Sequence, residues 1–364
     1  MSVPFLDLRR GGPELDAALA EAFARVLESG TYILGPEVEA FEAACARYLG
    51  VEHAIGVSSG TDALLVLLMA LGVGPGDEVI VPTYTFFATA GVVARLGATP
   101  VFVDVRPDDF ALDPAQVADQ IGPRTRAIVP VHLFGQCADM DALRQAADDV
   151  PIIEDAAQAI GARHGGRAAG SLARAAAFSF FPAKNLGALG DAGLVTTDDD
   201  DLAASVRRLR VHGAEPKYHH HVVGGNFRLD PLQAAFLSVK LPLLDGATER
   251  RRAHAAFYDE AFTGHPAITS PRELPGRHHV YNQYVVRVPE RDRVRAALAE
   301  RGVATMVYYP APLHQQPCFA DLATPSLPVS EQLSADSLAL PVFAELREDE
   351  RELVATALRE ALAL

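Results

Sequence analysis

The chain has 364 residues and a net charge of −15, with 47 acidic residues against 32 basic ones. This length exceeds what one small hydrophobic core usually holds, so we expect two domains, and the acidic balance argues against a nucleic-acid-binding protein, which needs a basic surface. Hydrophobic residues make up 49% of the sequence, but the longest strongly apolar run, at 63–74, is too short to cross a membrane.

Short apolar strands alternate with amphipathic helices between residues 53 and 197. The predicted strands are 53–57, 78–82, 99–105, 127–133, 151–154, 177–181 and 193–197. The predicted helices between them are 61–71, 88–96, 114–120 and 139–148. This alternation is typical of an α/β fold in which helices flank a mainly parallel central sheet. Ligands bind beyond the carboxyl ends of the strands in such folds, so residues that directly follow a strand are the first candidates for a site.

The pattern changes near residue 230, where strict alternation ends. Helices are predicted at 231–239, 248–262, 292–300 and 349–362, strands at 281–288 and 303–309, and an irregular proline-rich segment at 310–328. We therefore predict two domains, a large α/β domain at 1–244 and a smaller α+β domain at 245–364.

The sequence SSGTD at 58–62 follows the first predicted strand and opens a helix. A helix N-terminus presents free backbone N–H groups and a positive dipole end, and both favour phosphate binding. Gly60 would let the backbone approach such a group closely, and Ser59 and Thr61 could add hydrogen bonds. Ordinary capping of the helix by a serine is the alternative that this segment leaves open.

The strand at 151–154 is followed at once by acidic side chains, because Glu154 and Asp155 are neighbours at its end. Alternation along a strand places these two side chains on opposite faces, so at most one of them can face a site at the strand end. A carboxylate there could bind a protonated heterocyclic nitrogen. It could equally cap a helix or pair with an arginine.

Lys184 lies in a loop directly after the strand at 177–181, and a glycine-rich segment follows it. Burial lowers the pKa of a lysine, and the neutral amine is a nucleophile for carbonyl groups. A single lysine after a strand is more often a solvated surface residue. Here, however, a phosphate-binding turn, an acid and a lysine all fall on one edge of the predicted sheet, which is the combination that pyridoxal-phosphate sites require.

Many ordered motifs give the whole chain a resemblance to one known family. They are PFLDL near the start, GTYILGPEVEAFE (30–42), SSGTDAL (58–64), GPGDEVIVPTYTF (74–86), ATPVFVDV (98–105), EDAAQAIGA (154–162), FSFFPAKNLGALGDAG (178–193), GGNFRLDPLQAA (224–235) and YYPAPLH (308–314). With these motifs the sequence resembles the DegT/DnrJ/EryC1/StrS sugar aminotransferases. The resemblance implies a fold-type-I pyridoxal-phosphate transferase.

The resemblance also implies roles for residues around the cofactor, pyridoxal 5'-phosphate. Lys184 would bind the cofactor covalently and later move a proton between two substrate carbons, and Asp155 would keep the pyridine nitrogen protonated. Gln158 would bond to the ring hydroxyl, and Tyr84 would stack on the ring. The residues expected at the phosphate are Gly60, Thr61 and Ser179.

Further implied roles concern the substrate and the assembly. Asn226 would reach the phosphate from the neighbouring subunit, which predicts a homodimer with shared active sites. Arg228 would bind the diphosphate of the substrate, a task that suits guanidinium geometry. The residues expected on the substrate side of the smaller domain are Tyr308, Tyr309 and His314.

The resemblance favours an enzyme that converts a UDP- or dTDP-linked keto sugar to the amino sugar, with glutamate as amino donor and 2-oxoglutarate as by-product. The segment KYHHHVVGGNFRLDPLQAA resembles 3-amino-forming members more than 4-amino-forming ones, so a 3-keto sugar is preferred. The alternatives are a 4-keto sugar, a free cyclitol ketone and a regulatory protein that binds the cofactor without catalysis. A related dehydratase carries histidine where this chain has Lys184, so dehydration is disfavoured.

The remaining polar features predict no metal site and no secretion signal. The cysteines are odd in number and form no CxxC pair, which argues against disulfides and zinc and favours a reducing compartment. The histidines at 219–221 lack a further ligand at suitable spacing. The first ten residues show no signal-peptide pattern, so we expect a cytoplasmic protein.

Overall fold

The computed structural model describes residues 2–363 and contains twelve α-helices, four short 3₁₀ helices and twelve strands within that range. The α-helices are α1 Pro13–Ser29, α2 Pro36–Leu49, α3 Gly60–Ala70, α4 Ala88–Arg95, α5 Pro114–Gln120, α6 Met140–Ala147, α7 Asp200–Leu209, α8 Pro231–Lys240, α9 Leu244–Phe262, α10 Arg291–Glu300, α11 Pro328–Asp336 and α12 Glu348–Leu362. The strands are β1 His53–Val57, β2 Glu78–Pro82, β3 Thr99–Val103, β4 Thr125–Ile128, β5 Ile153–Asp155, β6 Arg163–His164, β7 Arg167–Ala168, β8 Ala175–Ser179, β9 Gly193–Thr197, β10 Arg277–His278, β11 Tyr284–Arg287 and β12 Ser337–Leu340.

The central sheet has the order β1-β9-β8-β5 on one side and β4-β2-β3 on the other. Parallel bridges between Ile128 and Ile152 and between Val131 and Asp155 join the two parts. Only β9 runs against its neighbours, since its pairings with β1 and β8 are antiparallel and the β8–β5, β2–β3 and β2–β4 pairings are parallel. The predicted α/β class with a mainly parallel sheet is confirmed. The carboxyl ends of β1, β5 and β8 therefore lie on one edge of the sheet.

Apolar side chains cover both faces of this sheet. One buried cluster includes Phe41 of α2 and Phe180 after β8, and a second is dominated by the leucines of α3. The strands are buried along nearly their whole length because helices pack on both faces. The rigid layers fix the strand ends that hold the site.

A separate core lies in the C-terminal part of the chain, where α9, α10 and α12 pack around the two-stranded sheet of β11 and β12. The N-terminal segment joins this core: Val3 donates its N–H to the carbonyl of Gly302 at 2.8 Å, and Arg10 pairs with Glu350 at 2.7 Å. The division into domains at 244/245 stays a prediction. Residues at the start of the chain nevertheless pack with the C-terminal core rather than with the sheet.

The predicted strand at 303–309 is wrong. In the described range this segment makes only isolated bridges, Val303 with Val3 and Met306 with Ala339. It leaves regular pairing because it turns its tyrosines toward the large cavity described below. The prediction also placed no helix at α1 or α2, and it ended the strand after α5 five residues too late, because the chain forms a short 3₁₀ turn at Leu133–Gly135. Between residues 2 and 363 no helix is long and apolar enough to cross a membrane.

Candidate active site

A cavity of about 510 Å³ opens at the sheet edge where β5 and β8 end. Most of the site residues predicted from the sequence contribute to its wall. They are Gly60, Thr61, Asp155, Gln158, Ser179, Lys184, Tyr308 and Tyr309. Four predicted residues, Tyr84, Asn226, Arg228 and His314, do not line it.

Lys184 lies in the loop after β8, where its backbone N–H donates to the carbonyl of Phe181 at 2.8 Å. Burial lowers the pKa of Lys184 to about 8, and the nearby charge of Asp155 opposes that shift. An appreciable fraction of the amine is therefore neutral, and so nucleophilic, near neutral pH. The other lysines of the chain lie elsewhere: Lys217 packs on the ring of Tyr218, and Lys240 donates to the carbonyl of Gly187.

Asp155 is the last residue of β5, and its carboxylate is buried in the cavity wall. One oxygen, Oδ2, accepts a hydrogen bond from the hydroxyl of Thr89 at 2.8 Å, and Oδ1 accepts from the N–H of Ala157 at 3.2 Å. Burial raises the pKa of Asp155, while these two hydrogen bonds and the charge of Lys184 lower it. The group is thus a buried acceptor that faces the only lysine of the cavity wall.

Glu154, the preceding residue, serves the fold. Its carboxylate is fully buried, accepts hydrogen bonds from the N–H groups of Gly170 and Leu172 at 2.7 Å, and contacts the ring of His132 at 2.9 Å. The opposite orientation of the two acids follows from alternation along β5. The structure thus places Asp155, and not Glu154, in the cavity wall.

The turn before α3 forms a cradle suited to a phosphate. Ser59 is the N-cap of α3, and its hydroxyl accepts from the N–H of Asp62 at 3.0 Å, so the capping alternative holds for that residue. Gly60 packs against Ser179 so closely that an added Cβ would lie 2.6 Å from the Cβ of Ser179. The exposed Thr61 adds a hydroxyl at the same helix end. Glycine is therefore required at 60, and backbone N–H groups with two hydroxyls surround the cradle.

Gln158 and Tyr309 form the opposite wall. The side-chain oxygen of Gln158 accepts from the N–H of Phe134 at 2.6 Å, and its amide nitrogen donates to the hydroxyl of Tyr309 at 3.3 Å. Burial raises the pKa of Tyr309, so the phenol is neutral. This contact ties the C-terminal part of the chain to the sheet edge.

Tyr84 does not occupy the predicted ring-stacking position. It is fully buried, its hydroxyl donates to the carbonyl of Tyr308, and its ring lies 6.1 Å from that of Phe110. Two residues further on, the half-exposed Phe86 lines the cavity. The motif PTYTFF contains three aromatic residues, and no sequence pattern distinguishes the one that faces the cavity.

His314 also lies outside the cavity. Its Nδ1 contacts the hydroxyl of Thr83 at 2.8 Å, and its Nε2 lies 3.4 Å from Glu331. The expected contact of His314 with substrate is therefore not supported. Thr83 and Tyr84 instead hold the segment 308–314 against the sheet edge.

Replacing Tyr84 by phenylalanine is expected to lower the free energy of unfolding by about 1–3 kcal/mol, because the buried carbonyl of Tyr308 loses its donor. Urea unfolding at one fixed protein concentration measures the change. Tyr218→Phe is the matched control, since Tyr218 is highly exposed, and it should stay within about 0.5 kcal/mol of the unmodified protein. Equal stability of the two variants would contradict the role given to Tyr84.

Asn226 and Arg228 lie beside the end of β1, where Arg228 forms a bridge with Val57. Asn226 is exposed, and within residues 2–363 the buried Nε of Arg228 has no hydrogen-bond partner. Neither side chain reaches the cavity of its own chain. The structure of one chain therefore leaves both groups available to another molecule.

Three further wall residues, Thr85, Asp191 and Gln283, and the buried Thr89 behind the wall were not predicted as site residues. Thr85 lies inside the motif PTYTFF and Thr89 just beyond it, and their spacing of four residues was the available signal. The histidines at 219–221 bond to backbone: His220 contacts the carbonyl of His212, and His221 that of Glu215. Across the described chain, no group of three or more His, Cys, Asp or Glu side chains could hold a metal ion.

A model of the DegT/DnrJ/EryC1/StrS aminotransferase family matches residues 13–359, nearly the whole chain. The chain belongs to this family. Its members use pyridoxal 5'-phosphate, and the protein is a pyridoxal-phosphate-dependent aminotransferase, as the motifs predicted.

Several individual proteins are closely similar to this chain. A "pleiotropic regulatory protein" of Geobacillus stearothermophilus is 50% identical, over 99% of this chain and 98% of its own length. The dTDP-3-amino-3,4,6-trideoxy-alpha-D-glucose transaminase of Streptomyces venezuelae is 48% identical, over 98% and 96%. The crystal structure of S. venezuelae DesV in complex with a ketimine intermediate superposes with a TM-score of 0.96 at 48% identity, over 99% of this chain and 98% of that one.

The residues of the cavity fit the cofactor of the family. A buried lysine of lowered pKa can bind its aldehyde, and a buried carboxylate can accept from its ring nitrogen. The Gly60 turn leaves room at the helix end that any larger residue would fill. These features meet in one cavity, so the site suits an amino-group transfer.

Proposed function

We propose that this aminotransferase moves an amino group from glutamate to the C3 ketone of a UDP- or dTDP-linked sugar. The observation that carries the proposal is the meeting of Lys184 and Asp155 in one large cavity at the strand ends. The S. venezuelae dTDP-3-amino-3,4,6-trideoxy-alpha-D-glucose transaminase, 48% identical to this chain, supports the sugar class and the C3 position.

When bound, pyridoxal phosphate supplies an electron sink for a negative charge that develops on the carbon next to the nitrogen. Lys184 would hold the cofactor, and its free amine would take a proton from that carbon and return it to another carbon. A pKa of about 8 lies near the working pH and suits the amine to both proton transfers. Asp155 would keep the ring nitrogen protonated through its negative charge.

The remaining cofactor contacts are assigned by position. Gly60, Thr61 and Ser179 bind the phosphate at the start of α3, and Gln158 binds the ring hydroxyl. Phe86 packs on the ring in place of Tyr84, since it is the aromatic residue of the motif that lines the cavity. Tyr308 and Tyr309 face the substrate from the C-terminal part.

Cations for the negatively charged substrates come from a second copy of the chain. Among residues 2–363, no arginine lies in the cavity wall, although the sugar nucleotide carries a diphosphate. Arg228 and Asn226 are the groups proposed to reach the neighbouring cavity. Exposed apolar side chains supply a surface for a two-fold dimer. They include Phe23 and Leu27 on α1, Tyr32 and Ile33 just after it, and Phe181 and Leu189 near the cavity.

Mixing two inactive variants tests the shared site. Lys184→Ala and the double variant Asn226→Ala/Arg228→Ala are each expected to be nearly inactive. With free subunit exchange half of the dimers are mixed, and each mixed dimer has one intact site of two. About a quarter of the activity of the unmodified enzyme should therefore return on mixing, as measured by initial rates. If the mixture has no activity although a tagged subunit shows that subunits exchange, the cross-subunit arrangement is refuted.

The substrate is tested with a matched panel of UDP- and dTDP-linked 3-keto and 4-keto sugars, each with glutamate. The expected result is amino-sugar formation from a 3-keto member, with 2-oxoglutarate in equal amount. Reaction of only a 4-keto sugar would refute the C3 assignment. If glutamate does not convert the bound cofactor to its amine form, the assignment of glutamate as the amino donor is refuted.

A further inference from the structure

A row of hydroxyl groups runs from the cavity wall to Asp155. Thr85 lines the cavity, and its hydroxyl lies 3.3 Å from that of Thr89. The hydroxyl of Thr89 in turn lies 2.8 Å from Oδ2 of Asp155. All three residues are buried, with exposed fractions of 2%, 1% and 4%. Water therefore does not replace any of these contacts.

The direction of each hydrogen bond in this row follows from chemistry. An ionised carboxylate only accepts, so the hydroxyl of Thr89 must donate to Asp155. That leaves its oxygen to accept from Thr85. A threonine in a helix often bonds instead to a carbonyl of the preceding turn. Thr89 is in the first turn of α4 and does not, because its hydroxyl points at the carboxylate.

The hydroxyl of Thr89 donates to the carboxylate of Asp155, which is the group proposed to bind the ring nitrogen of the cofactor. Burial alone would favour the neutral form of Asp155, and the hydrogen bond from Thr89 is the largest effect in the other direction. The bond also fixes the rotation of the carboxylate, since the other oxygen is held by the N–H of Ala157. Threonine in a helix has two common χ1 rotamers, and the hydrogen bond to Asp155 selects one of them.

We infer that Thr89, with Thr85 behind it, is a positioning residue that keeps the carboxylate of Asp155 aimed at the ring nitrogen of the cofactor. The inference rests on the role proposed above for Asp155. Thr89 does not touch substrate or cofactor. It acts through Asp155 alone, and this restriction makes it testable.

Thr89→Val removes the hydroxyl and keeps the shape, and Thr89→Ser keeps the hydroxyl. Valine is expected to weaken cofactor binding and to lower kcat by roughly ten- to one-hundredfold each, with KM for glutamate within about threefold, because a hydrogen bond to a charged group is lost. Serine should restore both quantities to within about threefold. The chain has no tryptophan, so equilibrium dialysis of the cofactor-free protein against pyridoxal phosphate measures the binding.

A double-variant cycle separates positioning from a structural role. In an Asp155→Asn background, Thr89→Val should change cofactor affinity by less than about twofold, since the negative charge that Thr89 is proposed to aim at the ring nitrogen is already absent. The same loss in both backgrounds, or a serine variant as impaired as the valine variant, would overturn the inference. If the valine variant does not fold, Thr85→Val and Thr89→Ala in the same cycle give the answer, with a smaller loss expected at 85.

The inference and the proposed function fail in different ways. An unmodified enzyme that binds the cofactor but does not react with glutamate refutes the proposed donor and leaves the dialysis result valid. Cofactor affinity and kcat of Thr89→Val within about twofold of the unmodified enzyme refute the inference and leave the proposed function untouched.

Discussion

Lys184→Ala is expected to reduce turnover by more than about 10⁴-fold, because the chain loses both the cofactor attachment and the group that moves the proton. Neither function can pass to another lysine. Lys217 stacks on Tyr218, and Lys240 is engaged with the carbonyl of Gly187. Single-turnover reaction of the cofactor-loaded protein with glutamate measures the loss. The variant should still bind cofactor through the phosphate cradle, although more weakly.

The matched control is Lys217→Ala, which removes a lysine outside the cavity wall. It should retain full turnover. Added alkylamines offer a second test, since a small amine that enters the space left at 184 should restore part of the proton transfer. If the turnover of Lys184→Ala is within about tenfold of that of the unmodified enzyme, another residue carries out the proton transfer.

Asp155→Asn should lower the rate of the glutamate half-reaction by about 10³-fold with little change in stability. The amide has nearly the same shape, but it has one acceptor oxygen and can accept from Thr89 or from Ala157, which donate to different oxygens of Asp155. It carries no negative charge, however, so the ring nitrogen loses its proton and the developing charge on carbon loses its sink. Rapid mixing with glutamate, followed through the absorbance of the cofactor, measures the effect.

Asp148→Asn serves as the control for this change, because Asp148 is an exposed acid that does not line the cavity. Its half-reaction should proceed at the rate of the unmodified enzyme. A nearly normal rate for Asp155→Asn would mean that Asp155 supports the fold and not the chemistry. Thermal unfolding of both variants separates that outcome from a general loss of structure.

Much of the site could be predicted because its parts follow strands. Asp155 is the last residue of its strand, Gly60 and Lys184 lie a few residues beyond the carboxyl ends of two others, and parallel strands bring such residues to one edge. Alternation also decides between Glu154 and Asp155 once the inward face of β5 is known. These features depend on local sequence and on a rule of topology, so one sequence was enough to suggest them.

The residues that sequence reasoning misplaced depend on contacts between distant segments. Tyr84 is held away from the cavity by the carbonyl of Tyr308, which is 224 positions further along the chain. His314 is held by Thr83 in the same way. The segment at 303–309 has a strand-like sequence, yet it makes only isolated bridges because its tyrosines turn toward the cavity. No local pattern records such contacts between distant segments.

Borohydride reduction followed by peptide mapping tests the central claim most directly. Reduction fixes the cofactor to the lysine that binds it, and the chain has only three lysines, each in a different tryptic peptide. The predicted result is one labelled peptide, and its modified residue is Lys184. Label on Lys217 or Lys240, or a protein loaded with cofactor that carries no label after reduction, would contradict the account.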